Sequence, residues 1–373
     1  MSGPSTGATG ITGATRITGA TRITVRGDSP YDVVVGTGVL AELPTLFRPG
    51  VRTVAVVHPE SLPAISRPVC EAVEAAGFEV VALPVPDGER AKTVEVAAGL
   101  WSALGRHGVT RSDAVVGVGG GATTDLAGFV AGTWLRGVQV VLVPTTLLAM
   151  VDAAVGGKNG IDTPEGKNLV GTFLPPAGVL CELSTLDSMP RDDYRAGLAE
   201  VIKGGFIADP EILRLVEADP EGATRPGGPH TRELIERKIR VKAEVVGADL
   251  REAGLREILN YGHTLAHAIE REEHYAIRHG EAVAIGMVYA AELSRLAGRA
   301  DLVARTRDIL TAVGLPVSYR ADAWPRLRDH MRLDKKNRGA KQRFVVLDGL
   351  AEPGRLEGPP EELLEAAYKE ISA

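Results

Sequence analysis

The stretch Ala114-Val-Val-Gly-Val-Gly-Gly-Gly-Ala-Thr-Thr-Asp125 decides the fold, because a short apolar run passes through glycines into a helical pattern. The run predicts a buried strand, and Leu126, Phe129 and Trp134 continue it as a helix. Glycines at a strand-to-helix turn let backbone N–H groups approach a phosphate, and the helix N-terminus adds a favourable dipole. The segment predicts a pyrophosphate cradle, although it is not the GxGxxG pattern and Asp125 could equally be an ordinary helix-stabilising acid.

The same alternation of strand and helix extends over the first half of the chain. Strands are predicted at 33–35, 51–57, 78–83, 113–118 and 139–143, with helices at 68–76 and 93–107. From about Asp187 helical patterns take over, at 211–218, 231–246, 264–270 and 282–296, before a last strand at 342–347 and a closing helix at 360–371. We therefore predict an α/β N-terminal dinucleotide-binding domain over residues 24–186 and a mainly α-helical C-terminal domain over residues 187–373.

Composition limits the classes of partner. The formal net charge of -6 argues against a general nucleic-acid or membrane binder, and no run of about 18 apolar residues could span a bilayer. Two cysteines far apart, Cys70 and Cys181, form neither a disulfide framework nor a CxxC site, so a cytoplasmic location is expected. The repeated Ile-Thr-Gly-Ala-Thr-Arg unit marks residues 1–23 as a disordered low-complexity tail, because small polar residues bury too little surface to offset ordering entropy.

Histidines in the second half form a pattern suited to a metal or to proton transfer. His263 and His267 lie one helical turn apart and share a face, and a third histidine, His279, follows. Taken alone, the pair resembles a two-histidine metal motif. Each of these residues could also be an ordinary helical histidine at the surface.

Polar segments follow two further predicted strands, at positions where a dinucleotide could use them. Asp87-Gly-Glu-Arg-Ala-Lys92 follows one, and Thr145-Thr146 follows the next. Ligands bind outside the carboxyl ends of strands in open α/β sheets, and acids such as Asp87 and Glu89 could accept ribose hydroxyls. The alternative interpretation of these acids is a solvated turn.

At this point the residues resemble a family, the 3-dehydroquinate synthases, within the sugar-phosphate cyclases. The resemblance runs from about Thr24 to near the C-terminus and rests on long motifs at 119–125, 143–147, 151–158, 166–168, 198–203, 260–270 and 334–336. The distant relatives implied are the metal-dependent glycerol and alcohol dehydrogenases, which share the two-domain architecture.

The resemblance implies a metal bound by Glu200, His263 and His279, usually zinc, with cobalt as the alternative. His267 then faces the substrate, where an imidazole can hydrogen-bond a phosphate or relay a proton. Substrate contacts are implied at Asp152, Lys158, Asn168, Lys203, Lys242, Arg256, Asn260 and Lys336. Arg136 is implied to reach the neighbouring subunit's site, which requires a homodimer.

The resemblance also implies NAD as cofactor. Its contacts would be Asp87, Glu89, Lys92, Gly120, Gly121, Ala122, Thr123, Thr124, Asp125, Thr145, Thr146, Asp152, Lys158, Lys167, Thr185, Leu186 and Ser188. A substrate with a phosphate and a carboxylate needs several cations, so the lysines and arginines at these motif positions agree with an anionic sugar substrate.

The implied reaction converts 3-deoxy-D-arabino-heptulosonate 7-phosphate to 3-dehydroquinate and phosphate, a step of aromatic amino acid biosynthesis by the shikimate pathway. It proceeds by transient oxidation, phosphate elimination, reduction, and intramolecular aldol closure. Asn159 and Asp162 stand where Thr and Asn are usual, and Ala266 where Gly is usual, which leaves an amino-dehydroquinate synthase or another cyclase open. A metal-dependent polyol dehydrogenase and a catalytically silent homologue are the more distant alternatives.

Overall fold

A computed structural model describes residues 19–252, 254–338 and 342–373, and describes only the backbone of residues 333–338. Its strands are β1 (Thr21–Val25), β2 (Tyr31–Gly36), β3 (Thr53–Pro59), β4 (Glu79–Val85), β5 (Ala114–Gly119), β6 (Gln139–Pro144), β7 (Lys158–Thr163), β8 (Gly166–Phe173), β9 (Gly178–Glu182), β10 (Arg343–Gly349) and β11 (Glu352–Glu357). Its helices are α1 (Pro63–Ala75), α2 (Val94–Arg106), α3 (Gly121–Thr133), α4 (Arg191–Ile207), α5 (Pro210–Ala218), α6 (Pro220–Ala223), α7 (Thr231–Ala248), α8 (His263–Glu272), α9 (His279–Leu296), α10 (Val303–Ala312), α11 (Trp324–Arg338) and α12 (Glu361–Ile371).

A seven-stranded sheet organises the N-terminal half, in the order β1-β2-β9-β6-β5-β3-β4. All neighbouring strands are parallel except the edge pair of β1 and β2. The residues of β3, β5, β6 and β9 are buried throughout, which fits strands rich in valine with apolar layers on both faces of the sheet. The predicted parallel α/β sheet is confirmed.

Strand β1 corrects the predicted tail. Thr21, Arg22 and Ile23 belong to this strand, so assigning them to a disordered segment was wrong. Ile23 and Val25 alternate into the core, and the Thr24 hydroxyl donates a hydrogen bond of 2.7 Å to Asp32 on β2, which offsets the ordering entropy. Residues 1–18 of the predicted tail lie outside the described residues.

The C-terminal half is mainly helical, as predicted. Helix α9 is buried over most of its length and packs against α4, α8, α10 and α12. The hairpin of β10 and β11 packs its first strand on α9. The last strand of the sheet ends at Glu182 and α4 begins at Arg191, so the change of architecture falls between these two residues.

The separate hairpin of β7 and β8 was not predicted. It packs against α3 and carries Lys158, Lys167 and Asn168 beside the carboxyl edge of the sheet. Two of the unusual residues support the hairpin itself: the Asn159 amide donates to Gly157 O at 3.0 Å and Leu174 O at 3.1 Å, and Asp162 accepts from Asn168 N at 2.8 Å. Among the described residues, no helix combines the length and apolar character that crossing a membrane requires.

Candidate active site

Glycines bring three helices of the C-terminal half into close contact at the site. A Cβ on Gly280, the second residue of α9, would lie 1.7 Å from Ala196 O of α4, and one on Gly286 would lie 2.0 Å from Gly262 O. Gly262 itself precedes α8 with a left-handed φ of 80°. Because these positions lack side chains, α9 begins against α4 and α8 begins against α9, and their first residues, His279 and His263, reach Glu200 of α4.

Glu200, His263 and His279 form a compact group whose potential ligand atoms all lie within 4.8 Å of one another. Glu200 Oε1 is 3.4 Å from His263 Nε2 and 3.8 Å from His279 Nε2. The other ring nitrogens are engaged elsewhere: His263 Nδ1 lies 3.3 Å from Tyr261 O, and His279 Nδ1 lies 3.3 Å from Glu270 Oε1. This pattern fixes both rings with Nε2 directed at one carboxylate, which suits a divalent metal with open positions.

His267 lies beside this group without joining it. Its ring is perpendicular to that of His263, with centroids 5.3 Å apart, and lies 6.5 Å from that of His279. Of the helical pair His263 and His267, only His263 belongs to the group, and His279 of α9 and Glu200 of α4 complete it. That His267 serves the substrate stays a prediction.

Two buried lysines face Glu200. Lys203 Nζ lies 2.7 Å from Glu200 Oε2, donates to Glu200 Oε1 at 3.0 Å, and donates to Leu259 O at 2.5 Å. Lys238 Nζ lies 3.8 Å from Glu200 Oε2. Burial alone would raise the pKa of Glu200, but the neighbouring ammonium of Lys203 and the imidazoles hold that pKa well below its usual range. Glu200 is therefore an ionised carboxylate, as a metal ligand must be.

The cations predicted to bind substrate gather next to this centre. Lys242 Nζ lies 2.7 Å from Asp152 Oδ1, and burial lowers the pKa of Lys242 to about 8 although Asp152 opposes the shift. Arg256 donates to Leu250 O at 2.6 Å and Gly156 O at 3.3 Å. The Asn260 amide donates to Glu252 Oε1 at 2.6 Å, and Lys158 pairs with the other oxygen of Glu252. Several cations thus converge in a protein of net negative charge.

The predicted cofactor residues follow the carboxyl ends of four parallel strands. Gly120 to Asp125 follow β5, Thr145 and Thr146 follow β6, the 87–92 segment follows β4, and the 185–188 turn follows β9. Thr145 N donates to Gly119 O at 2.9 Å, which ties the first two turns together. Gly120 is the N-cap of the 13-residue helix α3, so its first N–H groups point to the same edge.

Lys92 links these turns to the hairpin. Its buried ammonium lies 2.8 Å from Asp125 Oδ2, donates to Asn168 Oδ1, and lies 4.0 Å from Asp162 Oδ1. Burial lowers the pKa of Lys92, but Asp125 and Glu89 outweigh burial and raise it, so this lysine is charged. Asp125 therefore has an ion-pair partner in Lys92, and it lies beyond the first turn of α3, where an acid would stabilise the helix N-terminus.

Lys167 joins the cofactor side to the metal side. Its ammonium lies 3.7 Å from Glu89 Oε1, 3.8 Å from Glu270 Oε1 and 4.6 Å above the centre of the Tyr275 ring. Glu270 also holds His279, so one carboxylate contacts a residue from each half of the predicted site. Burial would raise the pKa of Glu270, yet His279 and Lys167 lower it to about 2.

Some predicted residues are not brought into this group. Arg136 is exposed beside Leu135, in a turn where both residues have positive φ. Leu186 is buried in the core, so only its backbone can serve a cofactor, and Thr185 and Ser188 stabilise their own turn through bonds of 2.8 Å and 3.2 Å. Asp87 accepts from the Ser61 hydroxyl at 2.6 Å. The side chain of Lys336 lies outside the part of the chain that the structure describes.

Comparison with known proteins settles the family. A family profile described as 3-dehydroquinate synthase N-terminal matches residues 82–196, and one described as 3-dehydroquinate synthase C-terminal matches residues 197–337. The 3-dehydroquinate synthase of Thermobifida fusca is 68% identical over 346 residues, 92% of this chain and 94% of that protein. That of Streptomyces avermitilis is 62% identical over 347 residues, 92% and 96% of the two chains.

The chain belongs to the 3-dehydroquinate synthase family. It is thus an enzyme of the lyase class with 3-dehydroquinate synthase activity, and the family expected from the sequence motifs is confirmed. Solved structures agree on the fold: a 2-deoxy-scyllo-inosose synthase complexed with carbaglucose-6-phosphate, NAD+ and Co2+ is 26% identical with a TM-score of 0.85, covering 94% of this chain and 100% of that one. The 2-epi-5-epi-valiolone synthase of Streptomyces hygroscopicus, with NAD+ and Zn2+ bound, is 25% identical with a TM-score of 0.83, covering 94% and 99%.

Sequence reasoning missed three residues of this 3-dehydroquinate synthase site. Lys238, Glu252 and Glu270 contact Glu200, Lys158 and His279 respectively. Glu270 stood inside a recognised motif, and its position seven residues after His263 was a signal that could have been used. Lys238 lies four residues before Lys242 on one helix face, a second usable signal, whereas no pattern in the sequence marks Glu252.

Proposed function

We propose that this enzyme converts 3-deoxy-D-arabino-heptulosonate 7-phosphate to 3-dehydroquinate and phosphate at the group around Glu200. The observation that carries the proposal is the position of this carboxylate–imidazole group beside Lys203, Lys242 and Arg256, all three buried. A substrate with a carboxylate and a phosphate can pair with such cations, whereas a neutral sugar would bring them no opposite charge.

Glu200, His263 and His279 would hold a divalent metal, Zn2+ in the first instance and Co2+ as the alternative. Their donor set and the fixed ring orientations support this assignment, and so do the Co2+ and Zn2+ in the two related cyclase structures. When bound, the metal would supply Lewis-acid stabilisation of a substrate oxygen. The chain contributes the fixed carboxylate of Glu200. The contacts of Tyr261 with His263 Nδ1 and of Glu270 with His279 Nδ1 keep both imidazoles aligned.

NAD would lie along the four turns at the carboxyl edge of the sheet, with its pyrophosphate at the N-terminus of α3. The glycine turn and the two related cyclases solved with NAD+ support this placement. When bound, NAD would supply a hydride acceptor that is regenerated within one turnover. Asp87 and Glu89 would accept ribose hydroxyls, and Lys167 would contact the cofactor from the hairpin.

The remaining residues would bind, orient and move protons. Lys242 and Arg256 would pair with the substrate carboxylate, and Lys158, Asn168 and Lys336 with its other polar groups. His267 and Asn260 would hydrogen-bond the leaving phosphate, and an imidazole there can relay a proton near neutral pH. Asp152 would hold Lys242 in place, as the ion pair of 2.7 Å suggests.

The decisive assay incubates purified enzyme with NAD+, Zn2+ and the heptulosonate phosphate, and follows phosphate release together with the ring product and NADH. We expect phosphate and 3-dehydroquinate in equal amounts without net NADH. Turnover of an amino analogue or of sedoheptulose 7-phosphate in place of this substrate would refute the assignment. Stoichiometric NADH would instead indicate a polyol dehydrogenase.

We further propose a cytoplasmic homodimer whose two domains divide near residues 186 and 187. Exposed apolar side chains support an interface: Leu135 lies beside Arg136, and Leu169, Val170 and Phe173 lie on β8. The two cysteines are free, which suits a reducing compartment. Sedimentation equilibrium at several concentrations tests the assembly, and a monomer at all of them would refute the role given to Arg136.

A further inference from the structure

The buried lysine Lys238 has no role in the chemistry described so far. It lies on α7, one turn before Lys242, and its side chain has 0% exposure. Its ammonium donates to Val151 O at 3.3 Å and lies 3.8 Å from Glu200 Oε2. An ammonium buried with so few partners is unfavourable, and an apolar residue would fill a helix core position at lower cost.

Helix α4 leaves room for this side chain. Gly204, four residues after Glu200, lies against the methylene stem of Lys238, and a Cβ added to Gly204 would come within 2.6 Å of Lys238 Cδ. The stem therefore crosses α4 where that helix has no side chain, and the ammonium emerges behind the Glu200 carboxylate. The position of Lys238 is built by two helices.

The two oxygens of Glu200 have different surroundings. Oε1 faces His263 Nε2 at 3.4 Å and His279 Nε2 at 3.8 Å, and it accepts the hydrogen bond of Lys203. Oε2 faces the two ammonium groups, at 2.7 Å for Lys203 and 3.8 Å for Lys238, and accepts no hydrogen bond from the described residues. Lys203 lies within hydrogen-bonding distance of both oxygens, whereas the oxygen nearest to Lys238 is Oε2.

We propose that Lys238 is a positioning residue that holds Glu200 Oε2 away from the metal, so that Glu200 presents Oε1 alone as a ligand. A carboxylate that binds through one oxygen leaves one more coordination position open for the substrate than one that binds through both. Lys238 is fully buried behind Glu200 and does not line the space where the substrate would bind. The inference rests on the metal centre proposed above.

The test compares the Co2+ enzyme of the natural sequence with Lys238→Met, which keeps the stem and removes the charge. We expect Lys238→Met to bind Co2+ at least about tenfold more tightly in competition with a chelator, because a cation near the metal is removed. Its visible absorption should weaken and shift as a second carboxylate oxygen joins the metal. The kcat should fall about tenfold while KM stays within about twofold, since an open position is lost.

Arg240→Met is the matched control, because Arg240 lies on the exposed side of the same helix and pairs with Glu236 at 3.0 Å. It should change neither the spectrum nor the Co2+ affinity. Gly204→Ala is the second variant: it keeps the lysine but displaces its stem, and should shift the spectrum in the same direction. If Lys238→Met does not fold, the Gly204→Ala spectrum decides.

An unchanged Co2+ spectrum and affinity in Lys238→Met, or in Gly204→Ala where that variant decides, would overturn the inference even if the melting temperature fell. Weaker Co2+ binding with an unchanged spectrum would also overturn it, since Lys238 would then serve the fold alone. Failure of the metal centre itself looks different. In that case the enzyme of natural sequence and His263→Ala would retain the same amount of Co2+.

Discussion

The glycine turn after β5 and the group around Glu200 show two ways of building half an active site. The turn uses backbone groups, small residues and the N-terminus of one helix, at the edge of a sheet whose strands are already fixed by their ladders. The Glu200 group uses buried charged side chains from α4 and α7 and partly buried imidazoles from α8 and α9. The first half should be sensitive to added volume, and the second to lost charge or lost ligand atoms.

The largest expected effect is in the metal half. His263→Ala removes a proposed metal ligand. Since loss of a supporting contact alone costs about 10–100-fold in metal affinity, metal retention should fall by more than about 100-fold. His267→Ala should keep the metal and lower kcat by about 100-fold or more, as expected for loss of a proton-transfer group. Metal content after gel filtration and initial rates separate the two variants. Equal metal loss in both would contradict the different roles of the pair.

The second effect tests the cofactor half through volume. Gly120→Val places branched carbons before α3, where an added Cβ would lie 3.4 Å from Thr146 Cγ2. NAD affinity should fall at least about tenfold, because the side chain blocks the approach of a phosphate to the helix N-terminus. Metal content should not change. Titration calorimetry with NAD+ measures the effect, with Gly99→Ala as control, because a Cβ on Gly99 meets nothing within 4 Å. An NAD affinity equal to that of the natural sequence would show that the pyrophosphate does not bind at the N-terminus of α3.

The third effect tests charge through pH. The pKa of Lys242 is lowered from 10.5 to about 8, chiefly by burial. Above about pH 8 the amine loses its proton, so KM for the substrate should rise about tenfold per pH unit as the pairing charge disappears. The free energy of unfolding should also rise with pH between about 8 and 10.5, because there the unfolded chain binds the proton and the folded chain does not.

Lys242→Arg is the control for this dependence, because a guanidinium stays charged throughout that range. Steady-state kinetics and thermal melts at the same pH values measure both trends. A KM that stays flat through about pH 9 would show that Lys242 does not carry the interaction.

The smallest effect is expected where the two halves meet. The Lys167 ammonium lies 4.6 Å from the Tyr275 ring centre, and a partly exposed contact of this kind contributes about 0.5–1 kcal/mol. Tyr275→Leu should therefore weaken NAD binding by only about two- to fivefold if Lys167 contacts the cofactor. Tyr275→Phe keeps the ring and should behave as the natural sequence does. A change larger in Phe than in Leu would argue for the hydroxyl group instead.

Much of the fold follows from regular patterns in the sequence. The strands β2 to β6 and the helices α2, α7 and α9 appear within a few residues of their predicted bounds, because apolar periodicity determines them. Strand β9 was missed although it lies between β2 and β6, because its five residues form a short apolar run whose periodicity does not distinguish a strand from a buried helix segment. The β7–β8 hairpin was missed because neither strand alternates between buried and exposed residues: β7 buries Asn159, Gly160 and Ile161 in succession, and β8 is mostly exposed.

The site was predictable where motifs are long and was not where contact depends on tertiary packing. Glu200, His263 and His279 were named from motifs, and the structure brings them together. Lys238 reaches Glu200 only because Gly204 leaves space for its side chain across α4. Glu252, whose own backbone has a left-handed φ of 58°, contacts Lys158 and Asn260. These contacts join segments that are far apart in the sequence, so local secondary-structure propensities do not predict them.

The edge strand β1 lies far from the chemistry along the chain, yet it touches the helix that supplies both Lys238 and Lys242. Arg232 of α7 donates to Thr21 Oγ1 at 2.9 Å, and a Cβ on Gly247 of the same helix would lie 3.0 Å from Arg26 O. Strand β1 and the residue after it therefore support α7. An enzyme shortened past Val25 would keep every residue assigned to metal, cofactor or substrate, and would still lose the support that holds two of its buried cations in register.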